Sequence, residues 1–336
     1  MRAAQWDKAH QKVVVHDIPI PEPGPGQVLM KVVGASLCHS DLMQNLRPDG
    51  LFTLGHEGVG IIDKIHPSAE GKGFKVGDKV GALYFNGNCY KCDGCKIHQL
   101  HCSADWKLMG MSADGFFGEY TLVDWQNLAH LPDSIQLNKY SPIFCAGITA
   151  YHAVDSCELK EGDWFAVVGC GGLGQLAAQY AKAMGFKVVG IDINDATLDV
   201  FKKQGGDAVF NSRSNANYVE ELKKLTGGGA HAVAVFSDAN AAYASAPSVL
   251  RVGGLLMCVG LPKDPISIPV IDLCCGTIRV KGESTSIPSR MQKAVDFTIK
   301  HNILPEVEFR KLDEISDMIA EMQAGKATKR MVVAFE

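Results

Sequence analysis

An excess of charge of either sign is lacking in this sequence. Lys and Arg number 33 against 37 Asp and Glu, a formal net charge of −4 over 336 residues. Without long runs of like charge, nothing draws the chain electrostatically to nucleic acid or to an anionic membrane. The expected partners are small molecules. No internal repeat and no low-complexity tract occurs. The opening MRAAQWDK reaches charged residues without an apolar core, so no secretory signal is expected and the cytoplasm is the expected compartment. Membrane spans are lacking too. The uncharged stretch WFAVVGCGGLGQLAAQYA (164–181) carries four glycines and two glutamines, which suit a strand, a turn and a buried helix better than a bilayer. The cysteine count, 11, is odd, and a reducing cytosol keeps thiols free, so a disulfide framework is excluded.

What is present begins with apolar content. Hydrophobic residues make up 46% of the chain, enough for two domains that each bury a core. The stretch NCYKCDGCKIHQLHC (88–102) then concentrates cysteine. Cys89, Cys92 and Cys95 are each separated by two residues and Cys102 follows after six. A short loop can fold four thiolates around one ion, and a tetrahedral all-sulfur shell is closed to substrate, so a structural zinc is expected. Surface thiols and an iron–sulfur cluster are the alternatives; clustered exposed thiols are an oxidation liability. His98 and His101 read as solvated loop residues. Cys157, Cys170, Cys258, Cys274 and Cys275 read as small buried hydrophobes.

A closed site leaves the chemistry to other residues. Cys38 in SLCHSD, His56 in LGHEGVG and Cys145 in FCAGITAY offer the soft and borderline donors that an open zinc site needs. Taken singly, each is equally a packed core residue. Further along, WFAVV (164–168) reads as a buried strand, followed at once by GCGGLG and by a segment in which Leu173, Leu176, Ala177, Tyr180, Ala181 and Met184 recur at helical spacing. In this fingerprint Gly169 makes the tight turn, Gly171 lets backbone approach a pyrophosphate, and Gly174 lets the helix pack on the sheet, with its N-terminus toward the phosphates. Gly172 is an additional glycine within it. Asp192 closes the next strand, KVVGID, eighteen residues after Gly174. Its carboxylate suits adenosine ribose hydroxyls and repels a 2'-phosphate, which favours NAD over NADP.

Further short apolar runs, DAVF (207–210), AVAVF (232–236) and LLMCV (255–259), alternate with helical or polar segments, as a doubly wound parallel sheet requires. The fold class expected is α/β: a Rossmann domain over 147–280 within a chain whose first part is β-rich. PEPGPGQVLMKV and GFKVGDKVGALY supply strands and Pro/Gly turns there. AVDFTIKHNI and EISDMIAEMQAG read as amphipathic helices, and RMVVAF as a closing strand.

In combination, CHSD, GHEGVG, the three-cysteine CxxCxxC lobe, CAGITAY and GCGGLG resemble the zinc-dependent alcohol dehydrogenases of the medium-chain dehydrogenase/reductase superfamily, in order and in separation over nearly the whole chain. The resemblance implies a GroES-like catalytic domain from 1–146 and 281–336, carrying the zinc lobe 88–102, around a Rossmann domain over 147–280, with the active site in the cleft. It implies a catalytic zinc on Cys38, His56 and Cys145, a structural zinc on Cys89, Cys92, Cys95 and Cys102, and NAD as cofactor. Glu57 is implied to approach the metal during ligand exchange, Asp41 to orient His56, and Ser40 to bond the substrate oxygen and pass on its proton; outside CHSD, Ser40 would read as a cap. His39 and Arg330 are implied to meet the cofactor phosphates, Thr149 to lie near the nicotinamide, and the turn residues Gly169, Gly171, Gly172, Leu173 and Gly174 to hold the pyrophosphate.

The implied reaction is reversible hydride transfer between a primary or secondary alcohol, the aldehyde or ketone in reverse, and NAD. Tyr84 matches an aromatic pocket position, although core packing explains it equally; Asp49, Leu51 and Phe52 are candidates near the cleft. A homo-oligomer through the Rossmann sheet edge is implied, tetrameric rather than dimeric. A zinc-free quinone or enone reductase and a non-enzymatic zinc- and nucleotide-binding protein are the competing readings. Three positions depart from the family. Met43 stands where many relatives have a relay histidine, so a changed pH dependence is expected; the last lobe gap is six residues rather than seven; and His66 replaces a small residue.

Overall fold

The computed structural model describes residues 1–42, 50–327 and 329–336. Met43 and Asp49 therefore lie outside the described residues. The chain forms two compact units, one comprising Met1–Cys145, Ser286–Phe297 and Leu304–Glu336, the other Ala146–Thr285 and Thr298–Ile303. The expected division at 280/281 falls inside the strand Ile278–Gly282, which pairs with Leu250–Cys258 and so stays with the parallel sheet. Thr298 joins the second unit because its buried hydroxyl lies 2.6 Å from that of Tyr180.

The first unit is built mainly from antiparallel strands, with Val307–Arg310 running parallel to its neighbour Arg330–Ala334. Its largest sheet runs Leu128–His130, Lys79–Ala82, Glu57–Ile65, Gln27–Ser36, Arg330–Ala334 and Val307–Arg310, with Tyr120–Asp124 also paired to Gln27–Ser36. In the strand Gln27–Ser36, Val28, Met30 and Val32 alternate onto one face, and they join a core with Phe52, Ile62 and Phe116. Leu51 is exposed while Phe52 is buried in this core. Glycine permits the closest packing: a Cβ on Gly81 would fall 1.9 Å from the Phe144 ring.

The second unit holds a six-stranded parallel sheet in the order Ala208–Asn211, Lys187–Asp192, Trp164–Val168, Ala230–Val235, Leu250–Cys258, Ile278–Gly282. Numbered along the chain this is 3-2-1-4-5-6, the doubly wound dinucleotide-binding order, whose switch point lies beside the first strand. Buried on both faces, its central strands are continuously apolar, as in WFAVV and AVAV.

One expectation about cysteine is corrected. Cys157 and Cys170 are buried and Cys258 is half-buried, but Cys274 and Cys275 are exposed. They end the short helix Val270–Cys274, none of whose residues is buried. Among the described residues no helix is long and apolar enough to cross a membrane.

Candidate catalytic metal centre

Strand register brings the first two candidate ligands together. Ser36 is the antiparallel partner of Glu57, so Cys38, just beyond one strand end, and His56, just before the other, meet despite their separation in sequence. Cys145 arrives from the end of the 3-10 stretch Leu137–Phe144, before the helix Ala146–Asp155. One ligand atom each from Cys38, His56, Glu57 and Cys145 falls within 4.8 Å of the others.

Asp41 folds back from the turn His39–Leu42 and does two things. Its Oδ2 accepts from the Cys38 N–H at 2.9 Å, and its Oδ1 lies 2.6 Å from His56 Nδ1. The second contact fixes the imidazole, placing the proton on Nδ1. His56 Nε2 is buried and has no hydrogen-bond partner. A buried polar atom left unpaired is costly, and a metal at this donor set would satisfy it. The residues therefore fit a zinc ion, with Cys38, His56 and Cys145 as the open-site trio. Asp41→Asn should lower metal affinity or turnover by about 10–100-fold, read by zinc retained against a graded chelator and by kcat/KM.

Burial and mutual charge set the protonation of these four groups. A hydrogen bond from Cys145 holds the Cys38 thiol well below its ordinary value, with His56 assisting. The same bond, with burial, pushes Cys145 well above its own. Burial disfavours charged His56, but Asp41 and Cys38 outweigh it and raise its pKa well above the usual imidazole value. Metal uptake must therefore displace protons from His56 and Cys145. Glu57 is pushed up to about 8 by burial, against the pull of Arg330. Its Oε2 accepts from both Ser36 Oγ and Arg330 Nη2, while Oε1 is buried without a partner.

The remaining candidates of this unit come from separate parts of the chain. His39 is exposed and Ser40 half-buried at the start of the turn after Cys38. The Tyr84 ring meets His56 edge-on, with centroids 5.0 Å apart. Arg330, expected at a cofactor phosphate, is engaged with Glu57 here. Ser36 was not foreseen: a lone serine in an apolar strand carries no signal of its own, and only register reveals its partner.

The cysteine lobe forms a second cluster. Sulfurs of Cys89, Cys92, Cys95 and Cys102 all lie within 4.8 Å of one another, and Cys89 Sγ is 4.0 Å from Cys95 Sγ. Tetrahedral zinc with Zn–S near 2.3 Å requires sulfurs about 3.8 Å apart, so the shorter loop still brings Cys102 to ligand range. Two N–H groups, of Cys89 and Ala104, point to Cys102 Sγ. Neither His98 nor His101 belongs to the cluster; His98 instead caps the turn Gln99–His101. His66 likewise caps the turn Pro67–Ala69 through its ring. A buried polar network also holds the lobe: Tyr90 OH donates to Asp124 at 2.6 Å, and Gln99 Nε2 donates to Asn127 at 2.9 Å.

In the second unit the glycine turn follows the strand Trp164–Val168 and opens the helix Gly172–Ala183. Gly169 has φ +91°, and Gly171, the cap, has open space where a side chain would stand. A Cβ on Gly174 would lie 2.2 Å from Gly169 O. Leu173, between them, is half-buried. Asp192 ends the adjacent strand and accepts from the N–H of Cys170 at 2.8 Å, Ile193 at 2.7 Å and Asn194 at 3.0 Å. It thus ties the glycine turn to its neighbour strand and keeps lone pairs for a ribose. Thr149 Oγ1 accepts from the Thr285 N–H at 3.0 Å.

Comparison with known proteins follows the same lines. The family described as "Alcohol dehydrogenase GroES-like domain" matches residues 24–133, and "Zinc-binding dehydrogenase" matches residues 172–300. The alcohol dehydrogenase of Rhizobium meliloti (strain 1021) is 34% identical over 99% of this chain and 98% of that protein. That of Geobacillus stearothermophilus is 33% identical over 99% of both. Among solved structures, the alcohol dehydrogenase of the hyperthermophilic archaeon Aeropyrum pernix superimposes with a TM-score of 0.86 at 27% identity, covering 100% of both chains.

Proposed function

We propose the reaction from one premise: this chain belongs to the zinc-dependent alcohol dehydrogenases of the medium-chain dehydrogenase/reductase superfamily. It interconverts a primary or secondary alcohol with the aldehyde or ketone, using NAD. The observation that carries this reading is the convergence of Cys38, His56 and Cys145 around an imidazole nitrogen with no other partner. Zinc held there supplies Lewis acidity that eases loss of the hydroxyl proton, and the nicotinamide supplies the hydride acceptor.

The chain's own groups do the rest. Asp41 keeps His56 oriented, and Ser40 offers its hydroxyl to the substrate oxygen and passes the proton on. Tyr84, packed on His56, gives the substrate an apolar wall. Glu57 presents an unpaired oxygen for ligand exchange because its other oxygen is anchored. A cofactor role for Arg330 requires its guanidinium to leave that carboxylate; His39 and Thr149 complete the assigned cofactor contacts. The lobe cysteines hold a second, structural zinc. Two metal clusters speak against a zinc-free reductase.

The test is NAD-linked turnover across a panel of alcohols and aldehydes, before and after chelation, with metal counted by mass spectrometry. Two zinc per chain and loss of turnover on chelation support the reading; turnover indifferent to chelation sinks it. Cofactor choice has its own check. Asp192→Ser should raise the KM for NAD by about 10-fold or more, since a charged hydrogen-bond acceptor is worth roughly 1.5–3 kcal/mol, and should narrow the gap between NAD and NADP.

The protein acts in the cytoplasm, where reducing conditions keep eleven cysteines available for metal. It assembles as a homo-oligomer, a tetramer by likeness to the shorter-chained members of the family. Support comes from the sheet edge Ile278–Gly282 and the helix before it, where Val270 is 69% and Ile271 64% exposed; an unpaired edge beside apolar side chains is built for pairing. Sedimentation in solution measures the assembly.

A further inference from the structure

We propose that the turn 109–115 positions His56 and thereby couples the cysteine lobe energetically to the catalytic centre. The proposal rests on the reading of both clusters as zinc sites. The lobe is the far end of a two-stranded hairpin: the chain enters through Phe85–Asn86 and leaves through Lys107–Leu108, with Phe85 opposite Leu108 and Asn86 opposite Lys107. The next rung toward the base is Met109 N–H donating to Tyr84 O at 2.8 Å. Both strands of that base then touch the histidine or its neighbour.

On one side the Tyr84 ring meets the His56 ring edge-on at 5.0 Å. On the other, the chain turns back through Gly110 and Gly115 onto Gly55, the residue before His56. Gly115 N–H donates to Thr53 O at 2.8 Å, and Phe116 N–H donates to Gly55 O at 2.9 Å. The fit leaves no room for a side chain: a Cβ on Gly110 would lie 2.3 Å from Gly55 O, and one on Gly115 2.0 Å from the same oxygen. Gly55 itself has φ +90°, a conformation that a β-substituted residue rarely adopts, and the Phe116 N–H holds its carbonyl against the turn. Met109, at the apex of the contact, is fully buried. A displacement of the hairpin base therefore moves the His56 backbone and its ring together, and interiors packed this closely transmit strain.

The lobe metal closes the hairpin at one end, and the geometry of His56 is set at the other. Ligand geometry depends on such supporting contacts to within a fraction of an ångström. Gly110 and Gly115 are positioning residues, and the lobe acts on the catalytic metal through them.

The experiment follows zinc release from the holoenzyme to a chromophoric chelator, with the visible spectrum of cobalt placed in the catalytic site as a second readout. Wild type should release two metals in two phases; a single metal per chain would overturn the assignment of the sites, separately from the coupling. Gly115→Ala should keep the lobe metal yet release the catalytic one about 10-fold faster, a typical coupling magnitude, with shifted cobalt bands. Cys92→Ser, which opens the lobe, should accelerate release from the catalytic site by a similar factor, and the double variant should show little more than either alone. Release within twofold of wild type and an unchanged cobalt spectrum in Cys92→Ser would overturn the coupling. Should neither variant fold by circular dichroism, Tyr84→Leu decides: faster catalytic release supports the proposal, and an unchanged rate and spectrum refute it.

Discussion

Cys38→Ser will leave this protein with one zinc per chain and with turnover reduced by at least about 100-fold, because losing only an outer contact to a metal ligand already costs about 10–100-fold. A serine hydroxyl is a hard donor that stays protonated, whereas Cys38 is the buried thiol whose surroundings draw its pKa well down. His56 and Cys145 alone cannot hold the ion tightly. The lobe should keep its metal, since its four sulfurs form a cluster separate from Cys38. Mass spectrometry under native conditions counts the metals, and circular dichroism confirms that the fold persists. A variant with two tightly held zinc ions and ordinary turnover would refute the assignment.

Gly174→Ala should damage both the packing and the cofactor affinity of the second unit. The added Cβ would lie 2.2 Å from Gly169 O and 3.0 Å from Val167 Cγ1. The first of these is backbone, so relief requires the helix Gly172–Ala183 to move away from the sheet. Overpacking of this kind costs about 1–3 kcal/mol, and the displaced helix start should weaken NAD binding by at least roughly the same factor, about 10-fold. Gly171→Ala separates the two effects. Nothing stands within 4 Å of its added carbon, so Tm should hold while the dissociation constant for NAD rises, because the methyl occupies the space a pyrophosphate needs. Calorimetry of both variants gives stability and affinity together; NAD binding to Gly171→Ala at wild-type strength would contradict the close-approach role.

Much of this was legible in the sequence because local chemistry and tertiary structure agree where the motifs lie. WFAVV reads as a strand and is one over the same residues, Trp164–Val168, since five apolar residues before a glycine turn have few other options. The four lobe cysteines announced their proximity by spacing, and Cys38, His56 and Cys145 announced theirs only through the motifs around them. What escaped was decided by partners distant in sequence. Ser36 and Arg330 converge on Glu57 because strand register sets them there. Cys274 and Cys275 read as buried because thiols usually are, yet they end a helix whose whole length faces outward. The unit boundary after Thr285 depends on which sheet a strand joins, and apolar content does not record that.

The strand Arg330–Ala334 lies antiparallel to Gln27–Ser36, and this arrangement orders events during synthesis. A nascent chain emerging from the ribosome makes Glu57 long before it makes Arg330, the guanidinium that pairs with it. Until then the first unit lacks an inner strand of its sheet, whereas most of the parallel-sheet unit has already been translated and can condense. Removing the strand Arg330–Ala334 would therefore strip Gln27–Ser36 of a neighbour and Glu57 of its cationic partner in one step.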